Sequence, residues 1–388
     1  MEARLGFMIV LAAVAVVTLV VAKGPPGPRE ALRMLVDGTG ETHVEIKKHR
    51  MKAIAVIGCI LAFVCIVAAI SVGPTRCMDP FRSIAALFTG ALFGVDTDAE
   101  MLVIYDRMPR TVSAFAVGMG LAVAGTMYQA VIRNPLCDPY IMGISSGAGF
   151  TAVAALAFNF TLFGLLSPQS PYTTAVLAIV GGLVAAAATL ALAERAGGTT
   201  NAYVLSGVVV GLVFAALQTV LIVFSGDKLS NALLWLFGSF ANATWEKAAV
   251  TLAAVLVICI PSMRWAKELN LVLLGEDQAR QMGLNVHRFS IVVLAVASVL
   301  TSVCVAFCGI IGFVGLVVPH LCRMLFGGDH RLLLPASMAV GGSLMIVADI
   351  ASRILDPGVE LPVGAITTLI GVPVFAYLLI KKGKIYNG

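Results

Sequence analysis

Charge is scarce in this sequence. Only 12% of its 388 residues are Asp, Glu, Lys or Arg, whereas 59% are hydrophobic. A soluble domain carries about 25% charged residues, so the chain lacks the surface that a large soluble protein needs. Several windows of roughly 20 residues contain hardly any charge, and that length crosses a hydrocarbon core of about 30 Å. The composition therefore predicts a polytopic membrane protein.

Motifs for catalysis, metal binding and nucleotide binding are also missing. The sequence has no GxxxxGK followed by Ser or Thr, so it has no phosphate-cradling loop for ATP. An intramembrane enzyme would need paired acids or clustered histidines, but the five histidines are scattered and no CxxC occurs among the eight cysteines. The cysteines are best interpreted as small buried apolar residues. We expect no catalytic residue, metal site or cofactor in this chain, and no nucleic-acid partner.

Long apolar windows recur along the chain. They fall near 6–22, 53–72, 111–131, 140–160, 172–193, 202–224, 247–263, 289–308, 310–326, 332–352 and 361–380. In lipid every backbone polar group must be satisfied internally, so each window is predicted to be a helix. The predicted fold class is all-α, with ten core spans and one additional N-terminal window.

The distribution of Lys and Arg sets the orientation and the domain limits. Most of them lie in the connections that share a side with the basic linker 23–52, so this linker and the C-terminal tail 383–388 are predicted to be cytoplasmic. The ten-span domain covers 53–382. The segment 1–22 is an uncleaved anchor, a signal-like segment or a consequence of translation that really starts at Met51. We favour the anchor, because cleavage outside would leave the basic linker on the wrong face.

The stretch RNPLCDPYIMGISSGAG interrupts two apolar windows. The pairs Asn134-Pro135 and Asp138-Pro139 each push the residue before proline out of the helical region. They predict a stiff cytoplasmic turn. Pro139 is expected to open the next helix at its first position, with Asp138 as the cap.

The end of that stretch carries small and polar residues within the next span. Gly143, Gly147 and Gly149 thin the predicted helix, and Ser145 and Ser146 offer hydroxyl groups. Such helices occur where the backbone lines a cavity or where helices pack very closely. The residues alone leave both alternatives open.

Two blocks of motifs resemble the FecCD family, the permease subunits of ABC importers for iron-siderophores, haem and cobalamin. The first block comprises RMPR (107–110), GxxLAxAGxxxQ (118–129), RNPLxDP (133–139) and GISSGA (143–148). The second comprises LGEDQARQMGLNV (274–286), GxIGFVGLVVPHLCR (309–323), DHRxLLP (329–335), ADIASR (348–353) and ELPVGxxTxxIGVPVF (360–375). The resemblance covers roughly 53–382, in order, and does not reach 1–50.

The resemblance implies a homodimer in the cell membrane, with ten helices per subunit around a translocation path. Two ABC ATPase subunits, which bind ATP and Mg, would drive it, and an extracytoplasmic binding protein would deliver the substrate. The substrate stays open among iron-siderophore, haem and cobalamin, and an oxyanion such as molybdate is an alternative. An ion-coupled secondary transporter is the alternative from another class, and it predicts buried acids at the midplane.

Three sets of site residues follow from the resemblance. The polar stretch 274–286, long enough for two short helices, would be the coupling segment that contacts the ATPase, although its residues alone favour an ordinary loop. Its contact residues would be Leu274, Gly275, Glu276, Asp277, Ala279, Arg280, Gly283 and Leu284. The outer arginines Arg107, Arg110 and Arg353 would grip carboxylates of the binding protein, since the guanidinium fork binds carboxylate in a bidentate manner. The path or hinge residues would be Asn134, Pro135, Asp138, Pro139, Gly143, Ser145, Ser146 and Gly147.

One acid lies inside an apolar run. Asp349 falls near the outer end of its span, and such groups are costly in lipid and usually paired. Arg353, one helical turn later, is the expected partner. We therefore interpret Asp349 as a residue that positions its neighbours rather than as a proton relay.

Overall fold

The computed structural model describes residues 40–73, 77–158, 172–226, 229–355 and 360–386. Every regular element in these ranges is helical, which confirms the all-α class. The predicted anchor 1–22 lies outside the described residues. The α-helices are α1 (Gly40–Ser71), α2 (Pro80–Phe93), α3 (Asp98–Met101), α4 (Met108–Val131), α5 (Ile144–Phe158), α6 (Thr173–Arg195), α7 (Thr200–Phe224), α8 (Leu229–Leu236), α9 (Trp245–Ser262), α10 (Ala266–Leu273), α11 (Glu276–Gln281), α12 (Val286–Cys308), α13 (Val314–Phe326), α14 (His330–Ile354) and α15 (Val363–Tyr386).

Each of the ten predicted core spans coincides with one of these helices. Seven segments of the described chain are long and apolar enough to cross a membrane. The helix α5, the helix α13 and the apolar part of α15 are shorter. Each follows a stretch that is not α-helical: the first break (138–143), the second break (309–313) and the third break (360–362).

The helix α4 lies at the centre of the packing. Nearly all of its residues are buried, mainly against α14, α12, α9 and α13. A Cβ at Gly118 would overlap the carbonyl oxygen of Gly341 in α14, and a Cβ at Gly125 would overlap that of Gly315 in α13. Small residues allow such close approach between helices in lipid, where there is little hydrophobic drive for helices to associate.

Polar residues cap the helices where the chain re-enters the bundle. The side chains of Thr199, Thr244 and Asn285 each accept a hydrogen bond from a backbone N–H in the first turn of the following helix. These residue types suit the cap position because their oxygen replaces a missing intrahelical acceptor. The caps fix where α7, α9 and α12 begin.

The terminal helices of the predicted ten-span domain extend beyond its apolar windows. Residues 40–52, predicted as part of a solvated linker, continue into the first span as one 32-residue helix, α1. At 1.5 Å per residue such a helix is about 48 Å long, so it extends beyond the hydrocarbon core. At the other end α15 runs to Tyr386, so most of the predicted tail 383–388 is helical. At each end the helix continues past the apolar window into polar sequence, so hydropathy alone does not predict its full length.

The helix α2 was not predicted. It buries small residues, Ser83, Ala86 and Gly90, and exposes large apolar ones, including Phe81 and Phe93. This pattern is the reverse of that on a soluble surface helix. It fits a helix that packs on the bundle through its small residues and faces lipid with its large ones.

Candidate functional site

The segment 274–286 forms an exposed ledge, which we call the inner ledge, at the end of the molecule that the charge distribution assigns to the cytoplasm. Its helix α11 turns Ala279 inward, where this side chain is fully buried in a small cluster with Val272 and Val286. The other side chains of α11 point outward. Leu274 and Met282, at the two ends of α11, are 55% and 64% exposed. The ledge therefore combines charged and apolar groups on one accessible surface.

Glycines frame α11 on both sides. Gly275 has φ 113° and Gly283 has φ 88°, backbone conformations that other residues adopt only with strain. The N–H of Leu284 donates to the carbonyl oxygen of Ala279 at 3.1 Å and closes the end of α11. On the exposed face, Arg280 and Glu276 form an ion pair of 2.7 Å.

The prediction of two short helices within 274–286 is wrong in its bounds. Only α11 lies there, and the second short helix, α10, precedes the segment. The reason is apolar anchoring: Ala266, Leu269 and Val272 on one side of α10 are buried in the bundle. The ledge is thus held from behind by α10 and followed directly by α12.

The first break follows a sharp turn after α4. Arg133 has φ 52°, and the Asn134 side chain accepts a hydrogen bond from the N–H of Leu136 at 2.9 Å. The carboxylate of Asp138 accepts one from the N–H of Tyr140 at 2.9 Å, which confirms Asp138 as a cap. Burial raises the pKa of the Cys137 thiol in this turn to about 11.

Pro139 does not open the next α-helix, as the sequence predicted. It opens a single 3-10 turn, Pro139–Met142, which ends at Gly143 with φ 74°, and α5 begins only at Ile144. The left-handed residue reverses the local backbone and cannot continue a helix. Gly143 is therefore part of the break rather than of the span.

The glycines of this region serve close packing. A Cβ at Gly147 would overlap the carbonyl oxygen of Gly181 in α6, and one at Gly143 would lie 3.1 Å from the backbone nitrogen of Gly211 in α7. Ser145 and Ser146 are half-buried. For the glycines the structure favours the packing alternative, and the role of the eight residues as path or hinge stays a prediction.

Tyr140 joins the first break to the second. Its hydroxyl donates to the carbonyl oxygen of Ile311 at 2.9 Å and accepts from the N–H of the same residue at 3.2 Å. The Nε2 of Gln129 in α4 donates to the carbonyl oxygens of Leu316 at 3.1 Å and Cys137 at 3.3 Å. Irregular backbone inside a membrane protein requires such partners. Tyr140 thus links the two breaks directly, and Gln129 links the turn before the first break to the start of α13.

A cluster of charges closes the opposite end of the molecule. Arg110 contacts Asp349 at 2.8 Å through Nε and Glu360 at 2.7 Å through Nη1. Asp349 also contacts Arg353 at 3.2 Å, which confirms the predicted partner. We call Arg107, Arg110, Arg353, Asp349 and Glu360 the outer arginine cluster.

The three predicted docking arginines are buried in this chain. Arg107, Arg110 and Arg353 are 1%, 5% and 3% exposed. The outer end of α1 covers them: Arg107 donates to the carbonyl oxygen of Ile70 at 2.6 Å, and Arg353 lies 3.5 Å from that of Ala69. Their role in gripping a partner stays a prediction, because the structure shows their internal contacts only.

A cavity of about 640 Å³ opens beside this cluster. Its walls come from several outer helix ends and include Trp235, Lys247, Phe307, Glu360 and Pro362. This volume lies within the range of small-molecule pockets, about 300 to 1,000 Å³. Glu360 belongs both to the cavity wall and to the outer arginine cluster, so the two features share a side chain.

Comparison with known proteins decides the family. The profile of the FecCD transport family matches residues 44–381. The chain belongs to the FecCD transport family. The cobalamin import system permease protein BtuC of Halobacterium salinarum is 39% identical over 302 residues, which cover 77% of this chain and 79% of that protein. The hemin transport system permease protein HmuU of Yersinia pestis is 37% identical over 283 residues, 73% of this chain and 84% of that one.

A solved structure agrees with this assignment. A chain classed as a metal-chelate type ABC transporter, in an inward-facing conformation, matches with a TM-score of 0.71 and 29% identity. The match covers 84% of the present chain and 97% of the other. The FecCD chain described here is therefore a membrane-embedded transport permease with the fold of an ABC transporter transmembrane domain.

Several residues of these sites were not singled out from the sequence. Gln129 and Glu360 stand in the quoted family motifs, so the motifs were a usable signal for both. Tyr140 carried no such signal, because a tyrosine after Asp-Pro is unremarkable until Ile311 is known to be its neighbour. Contacts between segments this distant in sequence are set by the packing of the whole bundle.

Proposed function

We propose that this chain is the transmembrane subunit of an ABC importer that carries an iron-chelate or corrinoid substrate across the cytoplasmic membrane. It acts as a homodimer with two ATPase subunits and an extracytoplasmic binding protein. The chain itself performs no chemistry, and the ATPase binds ATP and Mg. The inner ledge is the observation that carries this proposal.

The inner ledge has the features of a docking surface for another protein. Its charged side chains are accessible, Leu274 and Met282 offer apolar contact, and Ala279 fixes α11 on the bundle. Protein interfaces commonly combine apolar contacts with hydrogen bonds and charged groups. Because the sequence has no phosphate-cradling loop, energy for transport has to enter from a partner, and the ledge supplies the contact.

The exposed surface of the helix α7 supports the proposal of a second subunit and a translocation path. This helix is the least buried of the seven long candidate spans of the described chain. Its fully buried residues, Ala202, Tyr203, Ser206 and Gly207, all lie in the first two turns. Beyond them large apolar residues such as Leu212 are exposed. In the proposed dimer this surface faces the other subunit and the translocation path.

The outer arginine cluster supports a docking role for Arg110 in particular. Its Nη2 is buried and has no hydrogen-bond partner among the described residues. Its Nη1 is held by Glu360, whose side chain is 39% exposed. A carboxylate of the binding protein that displaced Glu360 would find a guanidinium fork already oriented by Asp349.

The alternative of an ion-coupled secondary transporter finds less support. That mechanism needs an acid whose proton or ion can exchange during transport. Asp349, the acid that the sequence placed inside a span, contacts both Arg110 and Arg353 at the outer end of the bundle. Two arginines beside one carboxylate hold it in place.

The test is reconstitution of the chain into vesicles with its ATPase and its binding protein. We expect uptake that requires ATP and the binding protein, and that stops when either is omitted. A panel of one ferric siderophore, haem, cobalamin and molybdate then identifies the substrate class. Uptake driven by a proton or sodium gradient without the ATPase would contradict the proposal.

A further inference from the structure

Three helices meet at one carboxylate beside the inner ledge. Glu194, in the last turn of α6, accepts a hydrogen bond from the hydroxyl of Tyr203 in α7. Its second oxygen lies 3.2 Å from Nε2 of His287 in α12. None of these residues belongs to the family motifs quoted above. We call the three residues the inner carboxylate cluster.

The connection between α6 and α7 makes this meeting possible. Gly197 and Gly198 have φ 98° and 64°, so the chain reverses within a few residues. Thr199 then caps α7. A Cβ at Gly198 would lie 3.6 Å from both the Glu194 carboxylate and the His287 ring, so the turn follows the cluster closely. A glycine pair in this conformation keeps the end of α6 next to the start of α7.

On one side, the cluster is attached to the inner ledge. His287 follows Val286, and Val286 packs with Ala279 of α11 in one buried group. Asn285 caps α12 through the N–H of Arg288 at 3.1 Å. The ledge and the start of α12 therefore form one continuous unit, and His287 joins this unit to Glu194 of α6.

On the other side, the cluster contacts the first turns of α7, which are the part of that helix buried in the bundle. Tyr203 is 5% exposed and stands among the few fully buried residues of α7. The rest of α7 is largely uncovered, and in the proposed dimer it faces the path. A displacement of the first turns of α7 would therefore carry the whole helix with it.

We propose that Glu194 transmits the position of the inner ledge to α7 through His287 and Tyr203. Glu194 is a positioning residue, and this inference rests on the proposed function. When the ATPase moves the ledge, His287 moves with α12, and the shared carboxylate moves the buried end of α7. The side chains of Glu194 and His287 are 32% and 50% exposed, so their contact contributes little to folding. In this proposal the Glu194–His287 contact couples movement of the ATPase to movement of the translocation path.

The test uses Glu194→Gln and Glu194→Ala in the complete transporter, with ATP hydrolysis and substrate uptake measured on the same vesicles. We expect hydrolysis to continue while uptake per ATP falls roughly fivefold or more, the lower end of typical couplings between sites. The matched control is Glu246→Gln, which alters another Tyr–Glu pair, Tyr172 with Glu246 at 2.8 Å, at the outer end. This control should keep the wild-type ratio.

A double exchange separates transmission from simple structural support. Glu194→His combined with His287→Glu restores a carboxylate–imidazole contact, and we expect it to recover uptake per ATP. Unchanged uptake per ATP in both Glu194→Gln and Glu194→Ala would overturn the inference. A parallel loss of hydrolysis, uptake and assembly without rescue would overturn it as well. Absence of ATP-dependent uptake by the wild-type complex would instead contradict the proposed function on which the inference rests.

Discussion

The outer arginine cluster and the inner ledge use the same residue types in opposite ways. At the outer end the side chains of Arg110 and Asp349 are 6% and 1% exposed and bind each other. At the inner end Arg280 and Glu276 form a pair of similar length, but their side chains are 60% and 44% exposed. Burial makes the first pair part of the fold, whereas exposure leaves the second pair available to a partner. The surroundings of a charged residue therefore decide its role more than its charge does.

The largest expected effect is at Asp349. Asp349→Asn leaves two buried guanidinium groups without their shared carboxylate, and breaking a buried ion pair in this way costs about 3 to 5 kcal/mol. We expect a strongly lowered thermal unfolding temperature of the purified protein in detergent. The matched control is Glu276→Gln at the inner ledge, where an exposed pair is worth less than about 1 kcal/mol. Equal losses of stability in Asp349→Asn and Glu276→Gln would contradict the assignment of one pair to the fold and of the other to an exposed surface.

The second effect concerns partner binding at the inner ledge. The double variant Asp277→Lys with Arg280→Glu reverses two exposed charges, and like-charge contacts across an interface cost several kcal/mol. We expect loss of ATPase binding in a pull-down and loss of ATP-driven uptake, with unchanged thermal unfolding. Normal ATPase binding by this variant would remove the ledge from the interface.

A third variant tests the close packing of α4 and α13 between the two ends of the molecule. Gly125→Ala places a Cβ against the carbonyl oxygen of Gly315, and overpacking of this kind typically costs about 1 to 3 kcal/mol. The matched control is Gly312→Ala in the second break, where a Cβ would meet nothing within 4 Å. Thermal unfolding should distinguish the two, and equal stability would contradict the close approach of α4 and α13.

The smallest effect on stability is expected at Glu360. Glu360→Gln removes one partner of Arg110, and because Glu360 is 39% exposed the change in the free energy of unfolding should stay below about 1 kcal/mol. If Arg110 contacts a carboxylate of the binding protein, removal of the competing Glu360 carboxylate should increase the affinity of this chain for the binding protein in a binding titration. A decrease in affinity would show that Glu360 itself belongs to the docking surface.

Much of the fold could be predicted from the sequence, since ten apolar windows fixed ten helices. The prolines of the first break also predicted a stiff turn, and Asp138 is its cap. Hydropathy failed where a helix continues past its apolar window, as in residues 40–52 of α1. It also failed at α2, whose amphipathic pattern is inverted.

The sites were predicted less completely, for a physical reason. Arg110 and Asp349 are separated by 239 positions, so no local pattern shows that they meet. The expected docking arginines therefore turned out to be buried. The three residues of the inner carboxylate cluster lie on three different helices, and only the packing of those helices brings them together.

In the proposed transporter the inner ledge faces the cytoplasm and contacts the ATPase. The most direct measurement is labelling of a Met282→Cys variant with a membrane-impermeant maleimide in inverted and right-side-out vesicles, with the wild type as background. Cys137, 1% exposed and with a pKa raised to about 11, should not react. We expect labelling in inverted vesicles only, and protection when the ATPase is bound. Labelling in right-side-out vesicles, or in inverted vesicles without any protection by the ATPase, would contradict this prediction.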